Sequence, residues 1–380
     1  FLNKDLIMKR YTTILTLMFI VILLTSCGKK YRLFVGGFTR NDGEKAMTVL
    51  DFNSRNGRLR EVSSADVVPS PSYFCYSEKN KIFYVLNEVM EFKGQFGGGL
   101  STFRYDDEKV RFEKLNEMLI PYGGPCFISL SADSSYLFVA NYPNGSVAVV
   151  KLDEKGIPET ITDTILYVRE EPDRSHAHMI LHDPSGKYVY VTDLGLDRVV
   201  TYEFDKNTGK LNQTAEGIAE LPKGSGPRHF TFSKDGSKMY VINELGSMMA
   251  VFEAGSNGSL KLLQTLTTRS DETIENNYCA DIHLGNDGKF LYGSNRGENN
   301  IVTFKVGNDG LLTLAGHTTC GGDWPRNFVI DPTGRFIIAG NQKSNYISVF
   351  KIDRETGLPS KAIDSTRVKM PACLKFFNVD

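Results

Sequence analysis

Five side chains in this sequence could do chemistry if the fold brought them together: His178, Arg228, Glu244, Arg296 and Arg326. An imidazole and a carboxylate can move protons, and guanidinium groups hold a carboxylate, a phosphate or an oxygen acquiring negative charge. Three arginines beside one glutamate leave positive charge over, which suits an anionic or carbonyl-bearing ligand. The bland alternative is a set of salt bridges between neighbouring elements, each worth about 0 to 1 kcal/mol when exposed. The five are scattered along the chain, so only the fold can decide between the two.

Their spacing is that of a repeat. Gly226 to Glu244 carries two apolar alternating runs, Phe230 to Phe232 and Met239 to Ile242, joined by Lys234-Asp235-Gly236, and reads as a β-hairpin. With Val241 as anchor, the same hairpin recurs at Val35, Val85, Val139, Val191, Gly293 and Ala339, at intervals of 46 to 54 residues. These copies predict an all-β, seven-bladed propeller with four-stranded blades. A second hairpin per repeat is marked by turns at Asn56-Gly57, Thr208-Gly209, Asn257-Gly258, Asp309-Gly310 and Thr356-Gly357. Tyr31 to Gly36 matches the second strand of a repeat, and the missing first strand is Pro371 to Phe377. The C-terminal strand is therefore expected to close the ring by pairing with the N-terminal blade, leaving no free edge. No helix is expected after residue 31, and one insertion, Val89 to Gly99, reads as a mobile rim loop.

Repetition separates architecture from ligand binding. Two residues after the anchor stand Gly37, Asn87, Asn141, Asp193, Asn243, Asn295 and Asn341, a recurrence that argues for structure, with a short polar side chain bonding local backbone. One residue further the pattern breaks into Phe38, Glu88, Tyr142, Leu194, Glu244, Arg296 and Gln342. Thirteen residues before the anchor it breaks again, into Ser72, Cys126, His178, Arg228, Ala280, Arg326 and, through the C-terminal strand, Ala372. Both positions belong at one end of the innermost hairpin, around the mouth of the central channel. His176, His229, Tyr278, Asp281 and Trp324 lie near this group, and strand alternation could turn His229 and Asp281 away from the channel.

Hydrophobic residues at 41% and charged residues at 23% suffice for a sizeable core. A net charge of -1 without a basic face or tail predicts no nucleic-acid partner. Met8-Lys9-Arg10 reads as the start of translation, with residues 1 to 7 upstream of it, and Ile14 to Leu24 is an apolar run suited to a secretory signal. Its end, Leu24-Thr25-Ser26-Cys27, resembles the lipobox of bacterial lipoproteins. Residues 1–27 are thus expected to be upstream residues plus a signal peptide ending at a lipidated Cys27, and 28–380 one propeller domain, lipid-anchored in a bacterial envelope and facing the periplasm. The remaining Cys75, Cys126, Cys279, Cys320 and Cys373 are odd in number and lack a Cys-x-x-Cys pair, so buried thiols are expected rather than a disulfide framework or zinc site.

Gly226-Pro-Arg-His229, Asn243-Glu244-Leu245, His176-Ala-His178, Ser294-Asn-Arg-Gly297, Trp324-Pro-Arg326 and Asp331-Pro-Thr-Gly-Arg335 resemble, over residues 31 to 380, the motifs of the seven-bladed lactonase family. That family includes bacterial propeller-type 6-phosphogluconolactonases and fungal carboxy-cis,cis-muconate cyclases. The resemblance implies a hydrolase opening a sugar lactone. In the cyclase branch a His, two Arg and a Glu have been proposed as the active group, and His178, Arg228, Glu244 and Arg296 stand in the matching motifs. Hydrolysis would use Glu244 or His178 as base and later acid, with Arg228 and Arg296 holding the oxyanion or the substrate's anion. Arg326, His229, His176, Trp324 and Asp281 are the candidate substrate contacts. No Gly-x-Ser-x-Gly motif argues for an acyl-enzyme, no cofactor is expected, and no metal-ligand spacing is evident, although the fold could bring carboxylates together around a cation. The implied partner is a small anionic or sugar lactone, with no obligate protein partner. A lipid anchor would lie outside the cytoplasmic membrane whereas 6-phosphoglucono-lactone is intracellular. An unphosphorylated sugar lactone, a non-catalytic membrane-anchored ligand- or protein-binding propeller, and a muconate-cyclase-like isomerase therefore remain open.

Overall fold

A computed structural model describes residues 30–39, 43–167, 174–271 and 273–377; the signal peptide and Cys27 lie outside the described residues. The alternating segments form seven four-stranded antiparallel blades, and no helix occurs among the described residues. The innermost strands of blades 2 to 7 are Phe74–Ser77, Pro125–Leu130, Ala177–His182, Pro227–Phe232, Tyr278–Leu284 and Pro325–Ile330. Blade 1 takes its innermost strand from the other end of the chain: Pro371–Phe377 pairs with Lys30–Gly37, with Val35 opposite Leu374.

Second strands such as Ile82–Asn87 and Tyr136–Asn141 are buried along their whole length, because neighbouring blades cover both faces. Outer strands such as Lys210–Glu220 are mostly exposed. Seams between blades repeat one device: the Tyr84, Tyr190, Tyr240 and Tyr292 hydroxyls donate to the carbonyls of Gly156, Gly258, Gly310 and Gly357 in the next blade's outer turn, at 2.7 to 3.3 Å. Those turns need glycine. Gly357 has φ +74°, and a Cβ built on it would stand 2.3 Å from the Phe290 ring.

The recurrent amide position is architectural. Asn87, Asn141, Asp193, Asn243, Asn295 and Asn341 are wholly buried. Their side chains bond the backbone nearby or the strand that follows, as Asn141 does with the Pro121 carbonyl and Ser146 Oγ. Cys75, Cys126, Cys279, Cys320 and Cys373 are buried free thiols. One expectation is corrected: Val89 to Gly99 is not a plain loop but holds paired strands. Glu91–Phe92 pairs with Gln95–Phe96 as a small hairpin, and Gly98–Asp106 is already the third strand of blade 2. Gly99 has no side chain to hold off the Phe92 ring, which lies 2.6 Å from where a Cβ would be, so the hairpin folds down onto the blade.

Candidate active site

A one-residue irregularity builds the channel mouth. In blades 3, 4, 5 and 7 the innermost strand's register slips at Cys126, His178, Arg228 and Arg326. The same happens between Cys279 and Ile282 in blade 6, and at Ala372 in blade 1. A bulge re-aims its extra residue and breaks alternation, so two successive side chains can face the same way. Arg228 and His229 do so: the His229 ring lies 5.1 Å from His178, 5.4 Å from Phe127 and 6.1 Å from Tyr73, which reach it from blades 4, 3 and 2. His229 is therefore inside the channel, and regular alternation was the wrong guide to it.

The upper layer surrounds a cavity of about 500 Å³ lined by Glu88, Tyr142, His178, Glu244, Arg296 and Arg326, with Phe38, Thr39, Cys126, Gln342 and Met370 completing the wall. Glu244 is its hub. Its Oε2 lies 2.7 Å from Arg296 Nη2 and 2.9 Å from Arg228 Nε, the second contact lacking the alignment of a hydrogen bond. Each arginine is tied to its wall, Arg296 donating to the Cys279 carbonyl at 2.8 Å and Arg228 to the Ala280 carbonyl. Burial disfavours the Glu244 charge, but Arg296, Arg228 and Arg326 outweigh it and hold the carboxyl below its usual range. Burial, with Arg228 and Arg326 nearby, draws Arg296 down to about 10. Arg326 makes no hydrogen bond or ion pair among the described residues, and its guanidinium stands 5.1 Å over the Phe38 ring.

His178 is buried against Tyr142 and His229, and among the described residues its Nδ1 has no hydrogen-bond partner. Burial first, then Arg228, pushes its pKa well below the usual imidazole range, so the ring is neutral. Glu88 is the opposite case to Glu244. Among the described residues no arginine pairs with it and its buried Oε2 makes no aligned hydrogen bond, and burial raises its pKa against the pull of Arg326 and the Ser72 hydroxyl.

The profile of the family described as "Lactonase, 7-bladed beta-propeller" matches residues 32–376, which takes in all seven blades and every residue of this cavity. The chain belongs to this lactonase family. It is similar to the 6-phosphogluconolactonase of Formosa agariphila, 33% identical over 91% of this chain and 99% of that one. It is also similar to the 6-phosphogluconolactonase of Bacillus subtilis, 28% identical over 92% and 99%. Among solved structures it resembles the periplasmic gluconolactonase of Pseudomonas aeruginosa, with a TM-score of 0.86 and 30% identity over 93% of this chain and 100% of that one.

In this lactonase-family chain the residues singled out from sequence fall into three places. His178, Glu244, Arg296 and Arg326 line the cavity, and Arg228 holds Glu244 from behind. His229 and Asp281 form a deeper layer. The His229 Nδ1–H donates to Asp281 Oδ1 at 2.8 Å, and Asp281 Oδ2 accepts from His283 Nε2 at 2.9 Å and from the Asn327 amide. Burial and the neighbouring Arg228 lower His229 to about 4, which makes it neutral and leaves its Nε2 lone pair 3.4 Å from Arg228 Nη1. His176 and Trp324 sit on the rim. His176 stacks on Tyr142 at 4.5 Å, and Trp324 has the Arg296 guanidinium 5.2 Å and the Lys343 amine 3.2 Å from its ring centre. Glu88, Phe38, Tyr142 and Gln342 were absent from the sequence-derived site, although they occupy the same repeat position as Glu244 and Arg296. Among the described residues, no group of three or more His, Cys, Asp or Glu is placed to hold a metal ion. A larger cavity of about 780 Å³ contains none of these residues; in its wall Arg32 pairs with Asp51 and Asp107, and Arg60 with Asp51.

Proposed function

We propose that this chain hydrolyses a sugar lactone to the open-chain aldonate. One observation carries the reading: three guanidinium groups converge on a mouth in which a single carboxylate is paired, leaving Arg326 to meet an incoming anion or carbonyl oxygen. Glu244 is the base. Its Oε2 is engaged by two arginines while Oε1 makes no hydrogen bond or ion pair among the described residues, so Oε1 can accept the proton of an attacking water. Arg296 and Arg326 hold the carbonyl oxygen as it becomes an oxyanion. Neutral His178 orients the water or the substrate, since an imidazole with so low a proton affinity carries no charge at neutral pH. The names of the relatives support the reaction class, and the periplasmic neighbour supports a place outside the cytoplasmic membrane. We infer as well that residues 28–380 form the mature propeller domain, held on the membrane through Cys27; acyl-chain labelling of the full chain and its loss in Cys27→Ala tests this.

Proton release on adding glucono-δ-lactone or its 6-phosphate tests the activity and shows whether phosphate matters. Glu244→Gln removes the base while keeping the shape and should lower kcat roughly 10²-fold or more with little change in KM. A parent that opens neither lactone, or a Glu244→Gln variant with parental kinetics, would remove the reading.

A further inference from the structure

The mouth holds two carboxyl groups in opposite surroundings. Glu88 and Glu244 occupy the same repeat position in blades 2 and 5, on nearly opposite walls of one seven-bladed ring, and both line the same cavity. Glu244 lies against two arginines. Among the described residues Glu88 has no ion pair, and its buried Oε2 makes no aligned hydrogen bond, although the Ser72 hydroxyl of the same blade lies beside the carboxyl. A carboxyl group with one oxygen buried is costly as a carboxylate, and as an acid it can present an O–H to a ligand through the other oxygen, on the side of the residue that lines the cavity.

We propose that Glu88 is the proton donor to the departing ring oxygen of the lactone, acting across the channel from Glu244. This rests on the lactonase reading and assigns a role within it. Water's oxygen bonds to the carbonyl carbon while its proton passes to Glu244, and the carbonyl electron pair moves onto the oxygen held by arginine. When that pair returns, the bond from the carbonyl carbon to the ring oxygen breaks. The ring oxygen keeps the bonding pair and takes the Glu88 proton. Glu88 is left as a carboxylate, and the proton on Glu244 returns to it through solvent. One water is consumed, and the new carboxylic acid ionises to release one proton.

Surrounding groups make this separable by pH. Arg326 from blade 7, the Ser72 hydroxyl from blade 2 and Arg228 from blade 5 favour loss of the Glu88 proton, but burial prevails and holds its pKa above the usual carboxylate value. Tyr142 and Cys126 from blade 3 are both pushed upward by burial, while His178 from blade 4 and Glu244 from blade 5 are held low. Arg296 from blade 6 titrates only near 10. Loss of activity on the alkaline side of the ordinary carboxylate range therefore reports Glu88.

The test compares the parent, Glu88→Gln and Glu88→Asp on glucono-δ-lactone, whose leaving oxygen is an alkoxide, and on dihydrocoumarin, whose phenoxide leaves without a proton. Glu88→Gln should lower kcat on the sugar lactone roughly 10²-fold, lose much less on dihydrocoumarin and lose the alkaline limb, while Glu88→Asp recovers part of the rate. Equal losses on both substrates, or no loss, would overturn the assignment while leaving the lactonase intact. A parent inactive on both would overturn the lactonase reading and this one with it. Should Glu88→Gln fail to fold, the parent decides: a kcat with no fall on the alkaline side of the ordinary carboxylate range, after subtraction of the spontaneous reaction, refutes the assignment.

Discussion

At the scale of single residues the mouth illustrates how one fold position acquires several chemistries. Glu88 and Glu244 are the same side chain at the same place in two repeats, and the difference between them comes from who stands beside them. The deeper layer works by the same logic. Asp281, held as a carboxylate by His283, His229 and the Asn327 amide, fixes the His229 tautomer, and His229 then offers its lone pair to Arg228. This arrangement has a cost in acid. The native His229 takes a proton only near pH 4, whereas the unfolded chain takes it near 6.5. Between those values the unfolded state binds the extra proton, so stability falls as pH falls. The buried, neutral His178 adds to the same trend. Thermal unfolding followed from pH 7 to about pH 4 should show a declining Tm in the parent and a shallower decline in His229→Gln. Parallel curves for the two would mean that the pair does not titrate as this geometry requires.

At the scale of elements the outer-turn glycines make a sharp prediction. Gly357 combines a φ of +74° with a Phe290 ring that leaves no room for a Cβ, and its carbonyl accepts the Tyr292 hydroxyl from the neighbouring blade. Gly357→Ala should destabilise by about 2 kcal/mol from the left-handed backbone alone, with the crowded ring adding to it. Denaturant unfolding would measure the loss, and an unchanged midpoint would show that the seam tolerates the side chain. These turns were legible in the sequence, as were the hairpin period, the structural amides and the C-terminal closing strand, because each leaves a repeating local pattern. The bulge was not. A one-residue slip at His178 or Arg228 has no signature of its own, yet it decides that His229 faces the channel instead of leaving it. Glu88 was on the page with Glu244, but its meaning depends on Arg326, Arg228 and Cys126, which arrive from three other blades. The pairing within Val89 to Gly99 was missed because glycine-rich composition signals a loop unless the ring that the glycines admit is known.

At the scale of the whole molecule, ring closure, stability and the mouth depend on one another. Each blade buries its faces only against its neighbours, so an open ring would expose two seams at once. Pro371–Phe377 covers both sides of blade 1: Phe377 packs 5.3 Å from Tyr76 and 5.5 Å from Phe83 of blade 2, while Phe376 packs 5.3 Å from Phe52 within blade 1, and Phe52 in turn lies 5.6 Å from Phe336 of blade 7. Its removal also leaves Lys30–Gly37 as an exposed edge with unpaired backbone groups. A chain ending at residue 370 should therefore lose its cooperative thermal transition and aggregate, and a peptide of residues 371–377 added in trans should restore part of both. Phe377 is half-buried, so Phe377→Ala, a milder cut, removes its contacts with Phe34, Phe74 and Phe83 and should cost roughly 2 to 3 kcal/mol, below the loss for a fully buried ring. Because the mouth takes its residues from every blade, lactone turnover in that variant should vanish over the same temperature interval as the fold. Activity surviving well above the unfolding midpoint of Phe377→Ala would show that the catalytic group holds together without closure, and would separate the site from the ring.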